Sequence, residues 1–167
     1  MNTLTTTAED HRIAWLAALA ITIHIAESAL PSPLPGIKPG LANMVTIATL
    51  CIYGLRTTAW VMLLRVVAGS LLLGTFLSPT FTLSFSGALA SLLVLTVAHL
   101  LPAIRFGAVG YSLLAAMGHM SGQFAVAYWL FIPHPALLHL FPILMTAAVL
   151  FGLVSGIIVA TMLKRIP

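Results

Sequence analysis

Charge is what this 167-residue chain has least of: seven Lys and Arg and three Asp and Glu, 6% of all residues. A soluble domain carries about 25% charged residues, so this chain cannot cover a water-facing surface. Soluble, disordered and nucleic-acid-binding classes are excluded together. A single cysteine, Cys51, leaves no intrachain disulfide and no thiolate metal cluster. Acidic clusters are missing, as are the GxSxG, HExxH and Walker signatures. The chain therefore has no apparatus for ATP hydrolysis, and any uphill transport must draw its energy elsewhere.

What it has instead is apolar length. Hydrophobic residues make up 60% of the chain, and the mean hydropathy is +1.12. At roughly 20 apolar residues per crossing, about six helices fit. The expected class is all-α: a polytopic membrane bundle of six helices after a polar segment at 1–12. Proline, glycine and the rare charges punctuate the runs and place spans at about 13–30, 41–55, 57–77, 82–101, 106–132 and 136–163. Between the first two lies a segment with four prolines, Pro31, Pro33, Pro35 and Pro39, which cannot form a regular helix. The second span is short, about 22 Å at 1.5 Å per residue. The first reads as an uncleaved span and not a secretory signal, because Glu27 interrupts its apolar region.

Basic residues orient the bundle. With an inside N-terminus, Arg12, Arg56, Arg105, Lys164 and Arg165 all fall on the cytoplasmic side and only Lys38 falls outside. That is the asymmetry of the positive-inside rule, and it puts both termini on the cytoplasmic side.

Charges placed in hydrocarbon cost at least about 2.5 kcal/mol each and default to functional roles. Glu27 in the first span and Arg65 in the third are the two. By helical rise their depths differ by about 10 Å, which makes Lys38 the better-placed partner for Glu27. Arg65 reads equally as a snorkelling or carbonyl-capped structural cation. His24 shares a helix face with Glu27, Asn43 opens the second span, and His119 and Gln123 share a face of the fifth. Taken singly, each of these is a helix-to-helix hydrogen bond. Together, His24, Glu27, Lys38, Asn43, Arg65, His119 and Gln123 suit a pocket for a small polar or anionic ligand in apolar surroundings. Neither a catalytic group, a metal nor a cofactor is expected. Small-xxx-small spacings at Ala14/Ala18, Gly118/Gly122 and Gly152/Gly156 permit close helix approach; Ala14 and Ala18 are placed to dock a partner. The scattered histidines leave open a haem or redox subunit, although no helix carries the pair that stacked haems would need.

The run from Glu27 to Thr46, ESALPSPLPGIKPGLANMVT, resembles the signature of a bacterial membrane family labelled Gx transporter, or heptaprenyl diphosphate synthase component I. The likeness continues through Leu64-Arg65-Val66, Gly69-Ser70, Ser78-Pro79, Ser86-Gly87, Gly118-His119 and Gly122-Gln123. The two labels imply different things. Prenyl diphosphate synthases hold magnesium and diphosphate with DDxxD motifs, and the one Asp here is Asp10; under that label the chain is a non-catalytic membrane partner in isoprenoid or quinone synthesis. Under the other, it is similar to substrate-binding S-components of energy-coupling factor (ECF) importers. That implies a vitamin-type ligand in an outer-leaflet pocket gated by the Pro-rich loop. It also implies a coupling subunit docked at the AxxxA of the first helix and two separate ATPases. The importer is the leading expectation at this stage.

Overall fold

The computed structural model describes residues 6–29, 40–101 and 106–165, and among these no strand occurs. Lys38, the Pro-rich segment and Arg105 lie outside the described residues. Six helices of 13 residues or more, α1 to α5 and α7, and one short turn of helix, α6, follow in order.

α1 (Ala8–Ala29) starts five residues before the position expected from hydropathy. The reason is a reciprocal cap: the Thr7 N–H donates to an Asp10 carboxylate oxygen at 2.8 Å, and the Asp10 N–H donates to Thr7 Oγ1 at 3.2 Å. Two donors that a helix start leaves orphaned are thereby satisfied. Residues 8–12 of the polar start are thus helical. α2 (Leu41–Tyr53) and α3 (Leu55–Leu72) are separated by Gly54 alone. Gly54 stands at φ 81°, ψ −179°, a conformation essentially reserved for glycine, so the break falls there and not at Arg56. Arg56 belongs to the first turn of α3. That helix ends at Leu72, before the expected Leu77, in a turn where Gly74 has positive φ.

α4 (Pro79–Leu100) is opened by Ser78, whose hydroxyl accepts the Phe81 N–H at 3.3 Å, with Pro79 at the first helical position. Proline is favoured there because its missing N–H is an orphan in any case. α5 (Ala108–Val126) runs on into a π turn at Ala127–Phe131. The expected sixth span is divided. His134 caps a single turn, α6 (Pro135–Leu138), and α7 (Phe141–Leu163) begins afresh. Pro142 forbids one continuous helix, since its ring clashes with the carbonyl four residues back.

Contacts along the helices fix their directions. Glu9 Oε1 lies 3.8 Å from Arg56 Nε, and His24 packs on Gly69, so α1 and α3 run parallel. The Arg12 guanidinium stands over the Tyr53 ring at 4.6 Å while Glu27 reaches Leu41, so α2 runs antiparallel to α1. Gly122 faces Ser86 and Ala90, Gly118 faces Ser91 and Val94, and Gly156 faces Val109 and Ser112; α5 is therefore antiparallel to both α4 and α7. A Cβ at Gly122 would lie 2.5 Å from the Ala90 Cβ, and one at Gly156 2.7 Å from the Val109 Cα. These glycines serve close backbone approach, as their spacing suggests. Ser112 adds a buried interhelix bond, donating to the Gly152 carbonyl at 2.8 Å.

The molecule is apolar outside and fine-grained inside. Trp15, Trp129, Leu72 and Ile143 are exposed, whereas Ala20, Ala88, Ala115, Thr46, Thr58, Ser91 and Ser112 are fully buried. This is the distribution for a surface that meets lipid and an interior packed by small residues. Four helical segments, Ala8–Ala29, Leu55–Leu72, Pro79–Leu100 and Pro135–Leu163, are long and apolar enough to cross a membrane. α2, at 13 residues, rises only about 20 Å.

Candidate functional site

A cavity of about 570 Å³ opens among the C-terminal halves of α1, α3 and α5, the N-terminal ends of α2 and α4, and the middle of α7. It lies toward the end of the molecule opposite Arg12 and Arg56. Six of the seven residues singled out from sequence, His24, Glu27, Asn43, Arg65, His119 and Gln123, line it; Lys38 is outside the described residues. Ala14 and Ala18 sit away from it, exposed on the outer face of α1.

Glu27 is buried, 4% exposed, and its role was not foreseen. Oε1 accepts the Leu41 N–H at 2.6 Å and Oε2 the Ala42 N–H at 3.3 Å. α2 begins after Gly40, in the left-handed conformation and with no side-chain cap of its own. Glu27 supplies that cap from a different helix. The carboxylate satisfies orphan donors and meets the positive end of the α2 dipole, which fastens α2 to α1.

Arg65 is also buried, 8% exposed, and lines the same cavity. The expected 10 Å offset in depth does not keep it from Glu27, which acts on it electrostatically. The register of α1 on α3, with Glu9 beside Arg56 and His24 on Gly69, keeps Glu27 roughly 10 Å further along than Arg65, as helical rise expects. Among the described residues, however, no carboxylate lies within 4 Å of the guanidinium, and no hydrogen bond reaches it; the ion pair found is the exposed Arg56–Glu9 pair at the other end. The cation is buried, unbonded and turned to the cavity.

His119 and Gln123 lie against Gly87 of α4. A Cβ at that glycine would stand 2.8 Å from His119 Cε1 and 2.7 Å from Gln123 Cγ. His119 also feels the charges of Arg65 and His24, which brings three helices to one polar end. Ser28, Ser70, Thr75, Thr80, Ser84 and Ser155 add hydroxyls to the lining and were missed from sequence. Apolar side chains share the lining, among them Phe81, Leu83, Met120, Ala147, Ala148 and Phe151. Polar groups that include, among the described residues, one cation without a hydrogen bond, together with apolar side chains, suit an amphiphile. Among the described residues, no group of three or more His, Cys, Asp or Glu is arranged to hold a metal ion.

The heptaprenyl diphosphate synthase component I family matches residues 16–162. The chain belongs to that family. No curated protein and no solved structure shows a significant match, so the likeness to ECF S-components is carried by no structural match.

Proposed function

We propose that this component I chain is a non-catalytic membrane subunit of isoprenoid diphosphate synthesis that holds a small amphiphile beside a separate catalytic partner. The observation that carries this is the family match over residues 16–162 in a chain with only three acidic residues. Two of these, Glu9 and Asp10, sit on the first turn of α1, remote from the cavity, and the third caps α2. No pair is left for the magnesium diphosphate chemistry of chain elongation. A component I implies a second component, and the chemistry assigns the aspartate-rich catalytic site to it. His24, Glu27, Lys38, Asn43, Arg65, His119 and Gln123 form or border the ligand site in this reading. α2 and α5 complete six crossings, with both termini on the cytoplasmic side where the basic residues gather.

Affinity purification from native membranes tests this. An aspartate-rich prenyl diphosphate synthase is expected to co-purify, and elongation of allylic diphosphates in the membrane fraction should need both chains. Co-purification of a transmembrane coupling protein with ATPases, and no synthase, would overturn it.

The substrate-binding subunit of an importer is the second reading. It is favoured by the cavity itself, which lies at the end opposite Arg12 and Arg56 and beside the N-terminus of α2. Under it, Ala14 and Ala18, exposed on α1, dock the coupling subunit, and ATP-dependent uptake should fail on Ala14→Leu.

A further inference from the structure

We infer that the cavity recognises an anionic head group, of the phosphate or diphosphate class, on a short apolar tail, and that Arg65 is its anchor. This rests on the reading of the cavity as a ligand site, and it holds for either the synthase or the importer reading. The argument is one of charge accounting. The cavity has a single carboxylate, Glu27, and both its oxygens are engaged by the N–H groups of Leu41 and Ala42. That carboxylate is balanced in large part by the start of α2. Among the described residues no hydrogen bond and no carboxylate within 4 Å reaches Arg65, which is 8% exposed. A buried guanidinium without hydrogen bonds is costly, and the fork of a guanidinium matches carboxylate and phosphate oxygens two at a time. His24 and His119 line the same cavity, His119 with a hydrogen bond to the Gly87 backbone. No second carboxylate is available to receive a cationic ligand.

Size limits the tail. At roughly 30 Å³ per water-sized group, about 570 Å³ holds roughly twenty non-hydrogen atoms. That encloses a ten-carbon prenyl diphosphate, and any longer tail must leave through the open side of the cavity. The wall of Ala147, Ala148 and Phe151 is where the tail lies.

The test uses the full chain in nanodiscs of phosphatidylcholine, titrated with geranyl diphosphate, inorganic diphosphate, geraniol and short-chain phosphatidylglycerol. Geranyl diphosphate is expected to bind and geraniol not. Arg65→Gln should weaken geranyl diphosphate roughly ten- to hundred-fold, the range for a charged hydrogen bond, and Arg65→Lys less. Ala147→Leu, which leaves every charge in place, should weaken geranyl diphosphate but not inorganic diphosphate. Phosphatidylglycerol binding with the same dependence on Arg65 would support the anionic site and assign its source to lipid. Equal binding of geraniol, or geranyl diphosphate binding unchanged in a folded Arg65→Gln protein, would overturn the inference. The synthase reading fails separately, by the absence of a catalytic partner in purification.

Discussion

Glu27 and Arg65 are the two charges the chain keeps between its helices, and they perform different tasks. Glu27 is spent on structure, because the first N–H groups of α2 have no other acceptor. Glu27→Gln removes the charge and keeps one acceptor oxygen. The loss of a cap costs about 0.5–2 kcal/mol, so thermal unfolding in detergent should occur at lower temperature while anion binding persists. Arg65→Gln should do the reverse, with affinity falling and the melting temperature little changed or raised, because a buried unpaired cation is removed. The rare polar residues were legible in the sequence because an ionisable group in an apolar helix stands out by its cost. The cap was not legible. Nothing local to Glu27 identifies N–H groups 14 and 15 residues away, and only the approach of α2 to α1 creates the bond. The hydroxyl lining was hidden for another reason. Serine and threonine in apolar helices commonly donate to their own helix, as Thr49 does to Val45 and Thr96 to Leu92, so their type says little about a cavity.

Between elements, glycine governs how closely α4, α5 and α7 pack and where α2 turns into α3. Gly122→Ala would place a methyl 2.5 Å from the Ala90 Cβ and 2.7 Å from the Ser86 carbonyl oxygen. Overpacking of this kind costs about 1–3 kcal/mol. The change should appear as reduced thermal stability, whereas Gly107→Ala, with open space around it, should leave the melt unchanged. Gly54→Ala meets no neighbour either, but at φ 81°, ψ −179° it forces a strained backbone costing about 1–3 kcal/mol. The destabilisation there should come from conformation alone. The small-xxx-small spacing made the close approach at Gly118/Gly122 and Gly152/Gly156 readable. Helix ends were read less well. Hydropathy marks where lipid-compatible residues begin, whereas Thr7 with Asp10, Gly54 and Pro142 decide where hydrogen bonding begins and stops.

For the whole molecule, Arg12 and Arg56 stand at the end opposite the cavity. Arg12 and Arg56 meet α2 and α1 at one end, while Glu27, Arg65, His119 and Gln123 enclose the cavity toward the other. In a Cys51→Ser background, a membrane-impermeant thiol reagent should label Thr80→Cys in intact spheroplasts and Arg165→Cys only in inverted vesicles. Labelling in the opposite sense would reverse the orientation and turn the cavity toward the cytoplasm. Native mass spectrometry of the purified chain, released from detergent in the gas phase, bears most directly on the ligand site. The account predicts that the wild-type protein retains a phosphorylated amphiphile of roughly twenty non-hydrogen atoms and that folded Arg65→Gln protein emerges without it. A neutral or cationic molecule held equally by both proteins would contradict it.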